Sequence, residues 1–415
     1  MRELSLSVSD TTSSNTNICE PDLDDPGGSK PWFIKNQGEN TEWEDWHWQL
    51  QNSIRSIEDL NSIVPDFFSE KSAEAAKQFP LSITPYYLSL IKEFSYSDPI
   101  FSQCVPNEKE LDNPSFLSND PLEEEHDTVV PNLVHRYNDR ALLISTSSCP
   151  VYCRHCTRKR VAGTKNFYIS DYQLNNVIKY IKNHPEIKDV IVSGGDPLTM
   201  STDKLENILY RLKTIDTIDI IRIGTRTPVT LPMRITDELV NMISKYHPIW
   251  LNTHFNHPNE ITEESIEACS KLINKGIPVG NQCVLLKGVN DSPDIMVELC
   301  RKLIKMRVRP YYMYQSDLVK GIEHFRTPIS KGIEIMDHLR GKVSGIGIPS
   351  FIVDSPEGKG KIPILPNYIL MQDKHQTILR NYKNEIVCYP EPTEYMESIC
   401  QTGNQIREQT TIQQT

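Results

Sequence analysis

The sequence predicts an α/β protein built on a partial (β/α) barrel, with a helical region before the barrel and an extension after it. Three observations carry this. Short apolar, β-branched runs occur at Ala141–Thr146, Val190–Ser193, Ile220–Ile223, Trp250–Asn252, Val284–Leu286 and Pro310–Tyr314. From the second onward they lie about thirty residues apart, with helical patterns between them at Asp203–Leu212, Asp237–Lys245 and Glu263–Lys275, the period of a parallel strand–helix unit. Polar or glycine-rich signatures stand at or just past the strands, where such a barrel gathers its working residues: Ser193-Gly-Gly-Asp196, Gly224-Thr-Arg226, Thr253-His-Phe-Asn-His257, Asn281-Gln282 and Gln315-Ser-Asp317.

Residues 1–30 are rich in Ser, Thr, Asn, Asp and Pro and read as a disordered tail. A helical region is expected over 31–129. In it Trp43, Trp46, Leu50 and Ile54 recur at helical spacing, an aromatic face best explained by core packing. A second helix is expected from Pro85 to Phe94, and the acidic run Glu123–Glu125 closes the region. The barrel is expected over 130–345, a C-terminal segment over 346–400, and a Gln- and Thr-rich disordered tail over 401–415.

The balance of 44 basic against 55 acidic residues gives a net charge of −11, which argues against nucleic acid or an anionic membrane as partner. No apolar run reaches membrane-span length, and the N-terminus lacks the apolar core of a secretory signal. Ten cysteines under these conditions point to reduced thiols in a cytoplasm rather than to a disulfide framework.

Three of those cysteines, Cys149, Cys153 and Cys156, are spaced C-x3-C-x2-C directly after the first apolar run. Three thiolates on one short loop suit three irons of a cubane iron–sulfur cluster, and with no fourth cysteine near in sequence the last iron is left open. The alternatives are a zinc site completed by a ligand such as His155, or plain buried thiols. An open iron needs a chelating amino and carboxylate group, which the methionine end of S-adenosylmethionine supplies. Ser193, Gly194, Gly195 and Asp196, one strand later, offer glycines that let a backbone approach such a ligand closely.

Near the C-terminus Lys359 and Lys361 follow a glycine-rich segment, and either amine could form a Schiff base with an aldehyde cofactor; a solvated basic loop is the alternative. Arg136 and Arg140, four apart, suit a phosphate, or else pair with Asp139 and its neighbours. Asp317 and Asp354 end strand-like segments and suit a cationic substrate group. Arg158, just past the cysteines, suits a substrate carboxylate.

Together these residues resemble the lysine 2,3-aminomutase family of radical S-adenosylmethionine enzymes over roughly residues 40–390. The runs that carry the resemblance are Tyr152–Arg158, Ser193–Asp196, Trp250–Pro258, Gly321–Pro328 and Pro366–Tyr368. The resemblance implies a radical S-adenosylmethionine type barrel in which Cys149, Cys153 and Cys156 hold a [4Fe–4S] cluster. Ser193, Gly194, Gly195, Asp196 and His254 would contact S-adenosylmethionine. Lys361, not Lys359, would carry pyridoxal 5′-phosphate, with Arg136, Arg140 and Gln282 holding that cofactor. Arg158 would take the substrate carboxylate, and Asp317 with Asp354 its ε-ammonium. Relatives acting on glutamate do not keep this acidic pair, so the pair implies a cationic substrate.

The implied reaction moves the α-amino group of L-lysine to the β-carbon through a pyridoxal phosphate external aldimine, with an electron donor such as a flavodoxin or ferredoxin. The same migration on arginine or ornithine is the nearest alternative, and a non-catalytic Fe–S or zinc binding protein is the alternative of a different class. The well-studied bacterial members carry a Cys-x-Cys-x2-Cys zinc site near the C-terminus, completed by a cysteine after the fifth barrel strand. Here Glu394–Cys400 has one cysteine and the Gly288–Ser292 turn ends in serine, so no structural zinc is expected and homo-oligomerisation stays open.

Overall fold

The computed structural model describes residues 42–163 and 167–392. The expected tails at 1–30 and 401–415, and the segment carrying Cys400, lie outside the described residues. Ten strands form one sheet in strict sequence order: β1 (Thr128–Val130), β2 (Leu133–Tyr137), β3 (Arg140–Thr146), β4 (Asp189–Gly194), β5 (Ile220–Gly224), β6 (Ile249–Thr253), β7 (Val279–Leu285), β8 (Arg309–Gln315), β9 (Ser350–Asp354) and β10 (Lys361–Ile364). From β3 to β9 all seven strands are parallel, while β1–β2–β3 and β9–β10 are antiparallel hairpins at the two ends. The end strands do not pair with each other, so the barrel is open. A separate antiparallel sheet, β11 (Ile369–Gln372), β12 (Gln376–Arg380) and β13 (Ile386–Pro390), follows.

The period of two along each strand divides the side chains between two environments. Leu143, Val190, Val192, Ile221, Ile223, Leu251, Leu285 and Met313 are buried against the outer helices Asp171–Asn183, Thr202–Lys213, Asp237–Ser244, Glu263–Asn274 and Pro293–Lys305. Several helix starts are fixed by N-caps: the side chains of Ser170, Thr236 and Thr262 accept the amide hydrogens of Gln173, Leu239 and Ser265. The opposite phase of the strands, including Leu142, Ile191, Arg222, Asn252, Gln282, Tyr312 and Tyr314, faces an interior cavity.

Three expectations are corrected. The fifth strand begins at Val279, not Val284, because two polar residues interrupt its apolar run: Gln282 faces the cavity, and buried Asn281 on the opposite face holds the Phe255 backbone; both lie inside the strand. The tryptophan-rich helix is only Trp46–Gln51. Trp48 is its buried indole and Trp43, in the turn before it, is buried too, while Trp46 is half-buried beneath the guanidinium of Arg234, 4.5 Å from the ring centroid. The helix expected to reach Phe94 is Pro85–Ser89, started by Thr84, whose hydroxyl accepts the Tyr87 amide hydrogen. These helices share the barrel's core: Trp43, Trp48, Leu60, Tyr87 and Phe101 belong to the same buried cluster as the strands.

Candidate active site

The interior phase of the strands encloses a cavity of about 390 Å³. Of the residues singled out in the sequence, Arg136, Arg140, Arg158, Ser193, His254, Gln282, Asp317, Asp354 and Lys361 all line it. Lys359 does not; it lies on the exposed hairpin loop and pairs with Glu357 at 2.6 Å. The β9–β10 hairpin explains the difference. Its register sets Lys361 directly opposite Asp354, and the lysine Nζ donates to both carboxylate oxygens at 2.7 and 2.8 Å. Glu357 and Gly358 take positive φ in the intervening loop, and a Cβ on Gly358 would stand 2.9 Å from the Leu122 carbonyl oxygen.

The acidic pair sits close together in charge terms. Burial pushes the Asp317 carboxyl up to about 6, against a 2.5 Å hydrogen bond donated by the Thr157 hydroxyl; the neighbouring Asp354 charge adds to the upward push. Lys361 Nζ also lies 5.1 Å from the centroid of the Tyr314 ring. Tyr311 and Tyr312 stack at 3.7 Å alongside.

The arginines divide differently from expectation. Arg136 donates from Nε to Asp127 at 2.6 Å and from Nη2 to the Leu122 carbonyl. Arg140 forks onto Asp139 at 2.9 and 3.2 Å, so the pairing considered as its alternative is realised while the residue still borders the cavity. A third cation, Arg222, projects inward from β5 and is held by Asp189 at 2.7 Å. It was missed in the sequence, although a charged residue alternating with Ile221 and Ile223 in an apolar strand was the signal.

Arg158 does not stand free. Its Nε donates to both Oε atoms of Glu124 at 3.0 Å and its Nη2 to Oε1 at 2.7 Å. Arg160 adds a 3.3 Å contact. Glu124 is 4% exposed, and against the upward push of burial these guanidinium groups hold its carboxyl below the usual range. In the sequence Glu124 stands out only as part of an acidic boundary.

Cys149, Cys153 and Cys156 sit on the loop after β3, whose His155, Thr157 and Arg158 line the cavity. All three are unpaired in disulfide terms. Burial drives the Cys149 thiol well up and Cys156 to about 11, with the other cysteines adding to each shift. No group of three or more His, Cys, Asp or Glu side chains among the described residues is drawn together closely enough to hold a single metal ion. Thiolate sulfurs are the ligands that iron–sulfur clusters take, and three of them stand on this one loop.

The Ser193–Asp196 turn serves that loop directly. A Cβ on Gly195 would lie 2.5 Å from the Ser148 carbonyl oxygen, and one on Gly194 2.5 Å from that of Thr146. The glycines therefore admit the cysteine loop's own backbone. Asp196 is spent within the protein: it accepts from Thr225 Oγ1 at 2.6 Å and from the amide hydrogens of Leu198 and Arg226 at 3.1 and 2.7 Å. His254 is kept neutral, its imidazole lowered to about 4 by burial and by Arg226.

The donor sets fit the groups that the resemblance implies. One amine, several guanidinium groups and a tyrosine stack share one cavity, which suits an aromatic aldehyde phosphate. Three thiols beside it suit an iron–sulfur cluster.

Residues 143–300 match the model of the Radical SAM superfamily and residues 336–415 that of Lysine-2,3-aminomutase. The chain is 51% identical over 358 residues to L-lysine 2,3-aminomutase of Clostridium subterminale, covering 86% of each chain. It is 48% identical over 371 residues to L-lysine 2,3-aminomutase of Methanococcus maripaludis, covering 88% of this chain and 86% of that one. Against glutamate 2,3-aminomutase of Clostridioides difficile the identity is 44% over 352 residues, covering 84% of this chain and 83% of that one.

Proposed function

The chain belongs to the lysine 2,3-aminomutase family of radical S-adenosylmethionine enzymes, and from that premise we propose that it moves the α-amino group of L-lysine to the β-carbon, giving β-lysine. The observation that carries the choice of substrate is the pairing of Asp354 with Lys361 Nζ beside Asp317: an ammonium already occupies the place an ε-ammonium would take.

Bound pyridoxal phosphate would supply an electron sink for the migrating nitrogen, and the cluster with S-adenosylmethionine the hydrogen-abstracting radical. The residues do the positioning. Lys361 is the amine to which the aldehyde would attach, and Arg136, Arg140 and Gln282 border the space for its phosphate and ring. Asp354, whose carboxylate holds the Lys361 ammonium here, would with Asp317 accept the substrate's side-chain ammonium. Arg158, braced by Glu124, faces the carboxylate end. Cys149, Cys153 and Cys156 would ligate the cluster, with Ser193, Gly194, Gly195, Asp196 and His254 around S-adenosylmethionine.

The electron would come from a flavodoxin or ferredoxin, and the setting would be cytoplasmic; no helix among the described residues is long and apolar enough to cross a membrane. Self-association would use the small sheet, which exposes Ile369, Leu370, Met371, Ile386, Val387 and Tyr389. No structural zinc enters this scheme.

An anaerobic incubation with lysine, arginine, ornithine and glutamate, read by chromatography for β-amino products, tests the proposal. Lysine is expected to give the highest kcat/KM, and preference for arginine or ornithine would move the substrate while keeping the chemistry. Lys361→Ala is expected to lose both turnover and the visible absorbance of retained cofactor.

A further inference from the structure

Arg226, just past β5, is a densely hydrogen-bonded cation to which the function above assigns no role. It is 8% exposed. Its Nη1 donates to Cys153 Sγ at 2.7 Å. From Nη2 it reaches Glu260 Oε1 at 2.6 Å, Gln103 Oε1 at 2.8 Å and Tyr87 Oη at 3.1 Å, and from Nε the His254 carbonyl at 3.1 Å. Its backbone amide is pinned by Asp196 Oδ2. The guanidinium is therefore fixed on every side, with one edge aimed at a cysteine sulfur.

Its counter-charge is diluted. Glu260 is fully buried, and its carboxylate also accepts from Tyr87 Oη at 2.7 Å and from the amide hydrogens of Asn256 and His257 at 2.5 and 2.8 Å. A carboxylate shared among so many donors neutralises the guanidinium incompletely, and in a dry setting the remaining positive field falls on the sulfur. Hydrogen bonds and charge at ligand sulfurs are levers on cluster potential.

We propose that Arg226 is a positioning residue that sets the reduction potential of the cluster through Cys153, with Glu260 as its built-in attenuator. This rests on the reading of Cys149, Cys153 and Cys156 as cluster ligands. One-electron reduction adds a negative charge to the cluster, the electron coming from a low-potential one-electron donor. A cation on a ligand sulfur stabilises that reduced form and raises the potential. Removing the cation lowers it, and removing the cation's counter-charge raises it.

The test is a potentiometric titration of the reconstituted full chain with dithionite, followed by electron paramagnetic resonance. Arg226→Gln is expected to shift the ratio of reduced to oxidised cluster at least tenfold toward oxidised at fixed poise, and Glu260→Gln to shift it toward reduced; a tenfold change is 59 mV for a one-electron couple. Opposite shifts cannot come from general loosening of the site, and Arg226→Lys is expected to fall between wild type and Arg226→Gln. Unmoved potentials in both variants, or shifts of the same sign, overturn the proposal. So does a loss of S-adenosylmethionine affinity in Arg226→Gln with the potential unchanged, which would put the guanidinium on the methionyl carboxylate instead. A wild-type chain that binds no four-iron cluster would defeat the ligand assignment itself, and is told apart by iron content before any potential is measured.

Discussion

Two carboxylates with different surroundings decide how this cavity treats a cation. Burial raises the folded-state Asp317 carboxyl from the ordinary 3.8 to about 6. A raised acid favours the protonated form in the fold, so this group costs stability as pH rises from about 4 to 6, and it gains its charge for an ammonium only as pH passes through about 6. The KM for lysine is accordingly expected to fall as pH rises through about 6, and Asp317→Asn to flatten that limb; an unchanged profile in the variant would remove Asp317 from substrate binding. Glu124 makes a second case. It occupies the Nε edge of Arg158 and leaves the guanidinium's outer edge toward the cavity. Glu124→Ala is expected to raise KM about tenfold with a smaller change in kcat, a loss of roughly 1.4 kcal/mol of uniform binding. These two side chains also mark the limit of what the sequence yields. Asp317 announced itself by ending a strand, whereas Glu124 lies in a loop whose approach to Arg158 is a tertiary fact with no local signature.

Strand order and the parallel arrangement were legible because apolar runs and strand-end signatures repeat at one period. What the sequence concealed were interruptions of pattern: Asn281 and Gln282 in β7 look like a loop and are strand, because Gln282 lines the cavity inside the open barrel while Asn281, on the opposite face, is buried with its amide bonded to the Phe255 backbone. The glycine turn after β4 was located correctly but for an incomplete reason. Its glycines admit the backbone at Ser147 and Ser148, not only a ligand. Gly195→Ala places a methyl group 2.5 Å from a carbonyl oxygen that cannot rotate away, so the cysteine loop must move. The expected result is a drop in iron bound per chain, with about 1–3 kcal/mol of lost stability. Normal iron content in a folded variant would show that the turn tolerates the shift.

Across the whole molecule, the helices before the barrel behave as part of it. Tyr87 reaches Glu260, Tyr86 reaches Thr262 at 2.6 Å, and Arg154, fully buried between the cysteines, forks onto Glu110 at 2.7 and 2.8 Å. Thermal or denaturant unfolding is therefore expected to be one transition, with the fluorescence of a Trp250→Phe variant, which keeps Trp43, Trp46 and Trp48 of the helical region, coinciding with far-ultraviolet dichroism of the barrel. Two separated transitions would contradict a shared core. Glu110→Gln, which strips a buried cation of its charge partner, is expected to lower stability by about 3–5 kcal/mol.

The open edge of the sheet bears on kinetics as well as shape. Where a closed barrel would zip its last strand to its first by a ladder, here the Tyr137 hydroxyl at the end of β2 accepts the amide hydrogen of Lys361 on β10 at 3.1 Å. One phenol thus ties the two ends of the open sheet together, at the lysine proposed to carry the cofactor. A hydrogen bond of this kind contributes about 0.5–1.5 kcal/mol net. Tyr137→Phe is expected to speed loading and escape of pyridoxal phosphate by up to about tenfold while leaving the resting fold intact. A faster exchange of cofactor in that variant, with unfolding unchanged, is the outcome expected if the unpaired edge is where the cofactor passes; equal rates would leave the phenol a purely local tie.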